Sequence, residues 1–236
     1  MNILINILLI LNIYQKKMIV SIQLFLTKIK RRVINIIITI IGGSGSGKST
    51  LEKKIQKEYE MDKIISYTTR PIRENDNEID GVDYHFIDVE EFNKLKDSGF
   101  FAETGEYNNW HYATAKEDLK DNSVLVITPS GFRQLKEYNE SLDNPFEIIS
   151  VYLDVDQRSR LIKLLERGDD INEACRRNTS DLGLLDGVEN EVMYVIKNFE
   201  FRFSVEQVFT MVEQVLSDYH LHLIHQIYGD KINGSI

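Results

Sequence analysis

The sequence predicts an α/β domain, with a parallel sheet flanked by helices. Strand-like and helix-like segments alternate along residues 34–219, several strands are unbroken apolar runs, and a glycine-rich turn joins the first strand to the first helix. Unbroken Val/Ile/Leu runs belong to strands covered on both faces, and strand–helix alternation is the mark of right-handed parallel crossovers.

The first strand is read over 34–41 (INIIITII), a β-branched run. A helix follows over 48–59, with Leu51, Ile55 and Tyr59 on one side. A second short strand is expected over 63–67. From about 68 to 115 the chain turns polar, rich in Asn, Asp, Glu and aromatics, and reads as a small insert. Its one helix signal is Asp88 followed three residues later by Glu91, a capping-box pattern. Core texture returns with a strand at 123–128 (SVLVIT), a helix at 130–138 and a strand at 147–153 (EIISVYL). A helix at 156–167 carries Arg158, Arg160 and Arg167, and a polar turn at 168–174 leads into another helical stretch. A strand at 192–196 (VMYVI) and a helix at 203–219, with Val205, Val208, Val212 and Val215 at helical spacing, complete the domain. Residues 220–236 read as a loosely held tail.

With 236 residues, 42% of them hydrophobic, the chain suits one domain with a smaller insert. The single cysteine, Cys175, allows no intrachain disulfide and points to a reducing, cytoplasmic setting. A net charge of -9 excludes a general nucleic-acid binder but leaves room for a local anion site. Residues 1–34 are read apart from the domain, as an N-terminal extension with Met18 as an alternative start. The apolar run at 3–14 reaches only ~18 Å as a helix, short of the ~30 Å of a bilayer core. Lys16 and Lys17 follow that run, whereas a secretory signal carries its charge ahead of it. A peripheral membrane anchor is the alternative for this apolar-plus-basic stretch.

Gly42, Gly43, Ser44, Gly45, Ser46, Gly47, Lys48 and Ser49 fit G-x-x-x-x-G-K-[ST] in full, between a buried strand and a helix. The glycines let the backbone close into a ring of N–H donors around phosphate oxygens, and the helix adds the positive end of its dipole. Lys48 brings a mobile charge to the β- and γ-phosphates, and Ser49 offers a hydroxyl to Mg²⁺. The sheet is therefore expected to be of the P-loop NTPase type, with residues 42–49 and Thr50 holding ATP.

Beyond the loop the sequence resembles the guanylate kinase family over most of 34–217. The segment Ser66-Tyr67-Thr68-Thr69-Arg70 with Arg73 resembles its S-x-T-T-R-x-x-R element. Gly81-Val82-Asp83-Tyr84-His85-Phe86 matches its G-x-D-Y-x-F element, and Phe101-Ala102-Glu103 followed by Tyr112 and Thr114 resembles its F-x-E…Y-x-[ST] run. The resemblance implies that Arg70, Arg73, Tyr84 and Tyr112 hold the acceptor phosphate, and that Ser66, Glu103 and Thr114 read guanine. A carboxylate can accept from both N1–H and the exocyclic amino group of guanine, an edge adenine lacks. The implied reaction is in-line transfer from ATP with Mg²⁺ to a nucleoside monophosphate, GMP or dGMP. An acceptor phosphate is already an anionic nucleophile, so the step asks for cations and no catalytic base. Arg160, Arg167 and the pair Arg176-Arg177 flank the turn at 168–174 and resemble the family's mobile lid, placed at about 167–178. Arg167 and Arg177 are the expected catalytic arginines with Lys48, and Arg160 the third.

The sequence also departs from the family. Val126 and Thr128 stand where it carries carboxylates, which bears on both guanosine contacts and the Mg²⁺ water shell. Asp154 is a candidate stand-in, although it also suits a helix cap. The Arg73–Tyr84 loop is about two residues longer than usual, Pro71 lies one position earlier, and the lid turn is slightly short. Two alternatives stand beside a GMP kinase: a kinase of the same fold with another acceptor, and a non-catalytic binding module. Intact Lys48 and Ser49 count against the module. Trp110 and His111 are read as packing residues. His220, His222 and His225 do not share a helix face, so no metal site is expected there.

Overall fold

The isoleucine run forms the centre of the molecule. The computed structural model describes residues 36–73, 78–107 and 109–233, with side chains to residue 219. In chain order its elements are β1 (Ile36–Gly42), α1 (Lys48–Tyr59), β2 (Asp62–Lys63), β3 (Tyr67–Thr68), β4 (His85–Phe86), α2 (Val89–Asp97), β5 (Phe101–Tyr107), β6 (Trp110–Ala115), β7 (Ser123–Val126), α3 (Pro129–Glu140), β8 (Glu147–Asp154), α4 (Gln157–Glu166), α5 (Ile171–Ser180), β9 (Tyr194–Lys197) and α6 (Val205–Asn233). All belong to one compact unit, Asn35–Ile236.

A parallel five-stranded sheet runs β2-β7-β1-β8-β9. β1 pairs β7 from Ile37↔Ser123 to Ile40↔Val126, and β8 from Ile36↔Glu147 to Gly42↔Leu153. Ile36, Ile37, Ile38, Ile40 and Ile41 are buried on both faces, each contributing roughly 1.5–3 kcal/mol of transfer free energy. Helices cover the sheet. α1 buries Leu51 and Ile55 and packs on β7 and α6, where Tyr59 meets Phe209 at 5.8 Å between ring centroids.

The polar insert is a second sheet of order β4-β3-β6-β5, with a small core of Phe92, Phe101 and Ala113. Asp88 caps α2, accepting from Glu91 N at 2.8 Å, as the capping-box spacing predicts. His111 stacks on Phe92 at 5.0 Å, a packing role.

Three boundaries differ from the sequence reading. The strand expected over 63–67 is two: β2 pairs with β7 in the main sheet, whereas β3 pairs with β4 and β6 in the insert. Residues 64–66 cross between the sheets, so no single apolar period covers them. The cap of α4 is Asp156, accepting from Ser159 N at 2.9 Å, so Asp154 does not cap a helix. α6 continues to Asn233, so residues 220–233 are helical where a tail was expected; no proline and one glycine, Gly229, interrupt that stretch. The expectations for residues 1–34 and for the side chains of His220, His222 and His225 lie outside the described residues. Among the described residues no helix is long and apolar enough to cross a membrane.

Candidate active site

β1 delivers the chain to the phosphate loop at Gly42. Gly45 and Gly47 adopt φ of 77° and 94°, a left-handed region that glycine enters without a Cβ penalty. Leu51 N donates to Gly47 O at 3.0 Å and opens α1, so the first-turn N–H groups of α1 face the loop. Lys48 Nζ folds back to donate to Gly42 O and Gly43 O, both at 2.8 Å. Burial lowers its pKa to about 8; nearby Asp181 opposes that shift, and Arg177, Arg160 and Arg73 add to it. Ser49, in the first turn of α1, and Thr50 line a cleft of about 380 Å³ with Lys48, Arg73, Tyr84, Arg167 and Arg177.

At the insert end, Ser66, Arg70, Arg73, Tyr84, Glu103 and Tyr112 border one cleft together with Lys48 and Arg177. Arg70 is buried, with its guanidinium 5.3 Å from the Tyr84 ring centroid and 5.5 Å from that of Phe86. Glu78 takes both of its terminal nitrogens, at 2.8 and 2.7 Å, and also accepts from Arg73 N. The Nε of Arg70 remains buried without a partner among the described residues. Tyr84 and Tyr112 meet edge-to-face at 6.1 Å. Glu103 is buried; Thr114 Oγ1 donates to its Oε1 at 2.7 Å, and its Oε2 lies against Gly131, where any Cβ would collide with it. Burial pushes the Glu103 carboxyl up to about 7, and the Thr114 hydrogen bond offsets only part of that.

The lid arginines divide. Arg177 reaches both clefts, donating NH1 to Asp169 at 3.0 Å while its buried Nε has no described partner. Burial lowers its pKa, and Arg73 and Arg167 lower it further, so three arginines crowd one place. Arg167 lines the phosphate-loop cleft and is forked onto Asp169 at 2.7 and 2.6 Å. Arg160 departs from the expectation of a lid cation. It is buried against the phosphate loop, donating to Val155 O at 3.0 Å and Ser44 O at 3.3 Å and paired with Asp181. Its guanidinium occupies the space that a side chain at Gly43 would need. Arg160 is a positioning residue for the loop.

Asp181 escaped the sequence reading. Its carboxylate accepts from Ser44 N at 2.8 Å, from Arg160 and from the Tyr107 hydroxyl, which also bonds Ser44 Oγ at 2.8 Å. Lid, phosphate loop and insert thus meet at one buried acid. No motif contains it, so only the fold could reveal it.

The guanylate kinase family profile matches residues 34–215, most of the chain. The chain belongs to the guanylate kinase family. It is accordingly a nucleoside monophosphate kinase by class, an α/β phosphotransferase. A guanylate kinase of Geobacter metallireducens is 31% identical over 182 residues, covering 72% of this chain and 83% of that protein. One of Nitratidesulfovibrio vulgaris is 40% identical over 108 residues, which covers 43% of this chain and 51% of that protein. The crystal structure of a guanylate kinase from Anaplasma phagocytophilum superposes with a TM-score of 0.60 at 22% identity, over 80% of this chain and 87% of that one, a likeness of fold.

The end of β7 brings no carboxylate to the clefts. Val126 and Thr128 both border the insert-side cleft, and the Thr128 hydroxyl caps α3 by accepting from Gly131 N at 3.1 Å. Asp154, the sequence-level stand-in, borders none of the three clefts described around the loop; its charged neighbours are Lys197, Glu189, Arg160 and Asp156. A third cleft, of about 710 Å³, opens on the other side of the loop between Gly45–Gly47, Arg158, Asn198 and Phe201. It is large enough for a nucleoside, and beyond the loop and Thr50 no residue there was assigned a site role from the sequence.

Proposed function

We propose that this guanylate kinase transfers the γ-phosphoryl group of ATP to GMP or dGMP. The observation that carries the reading is one insert-side cleft that holds Lys48, Arg70, Arg73 and Arg177 together with the buried Glu103 carboxylate and, from the phosphate loop, Gly42 and Ser44. Cations placed along one channel between two phosphate groups are what phosphoryl transfer asks of a protein. In this reading Gly42–Thr50 hold the triphosphate, and Arg70, Arg73, Tyr84 and Tyr112 hold the acceptor phosphate. Ser66, Glu103 and Thr114 read the base. Lys48, Arg167 and Arg177 neutralise charge on the transferring group, and closure of the lid at 167–178 excludes water. Mg²⁺ fits the cleft through Ser49, whose hydroxyl stands at the first turn of α1 beside Lys48. Bound there it would neutralise negative charge on the phosphate oxygens. The insert, about 68–115, serves as the acceptor module, and a reducing cytoplasm suits the lone exposed Cys175.

Val126 and Thr128 support a second reading, a kinase of the same fold with a broader acceptor choice. ADP release from MgATP with GMP, dGMP, AMP, CMP, UMP and dTMP separates the two. Turnover confined to GMP and dGMP, and lost selectively in Glu103→Gln, supports the first. Equal turnover across bases discards Glu103 as a guanine reader, and no turnover with any acceptor discards the kinase.

A further inference from the structure

One buried acid beside the phosphate loop has no role in this scheme. Glu52 lies one turn beyond Ser49 on the same face of α1 and is 4% exposed. No described residue donates a hydrogen bond to its carboxylate or forms an ion pair with it. A buried, unpaired carboxylate is costly, and such groups sit where something else compensates them.

Its surroundings say what that is. Glu52 borders the cleft shared by Lys48, Ser49, Arg73, Tyr84 and Val126. Two other carboxylates border that cleft: Glu78 is taken up by Arg70 and Arg73 N, and Asp83, on an exposed turn, accepts from Ile79 N at 2.9 Å through one oxygen. α1 packs over β7, whose last residue, Val126, pairs with Ile40 next to the loop and brings no oxygen. A magnesium ion bound with nucleotide phosphates takes one or two protein carboxylates or their equivalents and keeps several waters. Ser49 supplies one neutral oxygen, and Glu52 is the buried, uncommitted anionic one. Burial pushes the Glu52 carboxyl up to about 7 despite nearby Lys63 and Lys53, and a divalent cation would favour its ionised form.

We infer that Glu52 is the carboxylate that holds the divalent cation of the donor nucleotide, directly or through its water shell, opposite the Ser49 hydroxyl. A helix residue thereby provides from α1 what the end of β7 lacks. This rests on the reading of the loop as an ATP site and is independent of which acceptor is used.

The test is Mn²⁺ affinity of the protein–ATP complex, followed by electron paramagnetic resonance with no acceptor present. Glu52→Gln should weaken Mn²⁺ by about 10–100-fold and leave metal-free ATP affinity unchanged, and adding Val126→Asp should restore binding. Glu52→Gln keeps the side-chain volume and removes a desolvated charge, so its Tm should hold or rise. Unchanged Mn²⁺ affinity in Glu52→Gln overturns the inference, as does an equal loss of ATP affinity with and without metal. A wild-type protein that binds no ATP sinks the kinase reading instead, and one that binds Mn²⁺–ATP through Glu52 but uses no guanine nucleotide sinks only the acceptor.

Discussion

On the proposed reading of Glu103, a single ionisation should couple pH to acceptor binding. Guanine would present two hydrogens to this carboxyl, so the anion would bind and the neutral acid would set its own O–H against one of them. With the carboxyl raised to about 7 in the free protein, the KM for GMP should fall as pH rises through 7 and level off above it. Glu103→Gln should flatten that profile; a KM that ignores pH in the wild type would remove Glu103 from the base site. The same shift acts on folding. The folded value lies above the ordinary 4.5, so the contribution of Glu103 to stability is full below about 4.5 and fades as pH rises through 7. The motif drew Glu103, Arg70 and Tyr84 out of the sequence by their types and order, and all three border one cleft. Their partners were not legible there: Glu78 and Gly131 matter only through what the fold sets against them.

Between elements, the Asp181 node should outweigh any surface pair. Arg160 and Asp181 are both buried, and removing one partner strands the other charge. Asp181→Ala should cost about 3–5 kcal/mol. Glu173→Ala, at the exposed Arg176–Glu173 pair on α5, should cost under about 1 kcal/mol. Urea unfolding of both variants decides this, and equal losses would mean the node is not a closed ion pair in solution. The sequence announced the β1–loop–α1 unit, the strands β7, β8 and β9 and the helices, since long apolar runs and caps leave periodic traces, but it left the insert strands β4, β5 and β6 unread. It concealed the Asp181 node because Ser44 and Asp181 are 137 residues apart. It concealed the β2–β3 split because two-residue strands have no period to read.

For the whole molecule, an acidic chain of net charge -9 carries a cleft where burial, and then the charges of Arg73 and Arg167, lower the proton affinity of Arg177. That repulsion is relieved by a polyanion, so ATP or inorganic tripolyphosphate should stabilise the fold. At a hundredfold excess over Kd the gain is about 2.7 kcal/mol, or roughly 5–10 °C in Tm for a chain of this size. The shift should shrink with added salt and vanish in Lys48→Met; a wild-type Tm indifferent to saturating ATP would argue against the loop as a triphosphate site. The way the insert is spliced in has an engineering consequence. The chain leaves the main sheet after Lys63 and re-enters at Ser123, and those two points are ladder neighbours, with Asp62 N donating to Asn122 O at 3.0 Å. Everything between has its own sheet and small core, yet it is also tied to the scaffold where Ile64 and Leu119 enter the main core, Thr104 bonds Gln134 on α3 and Tyr107 reaches Asp181. Grafting another segment between Ile64 and Asn122 would leave the registers of the five-stranded sheet in place only if it also matched those contacts.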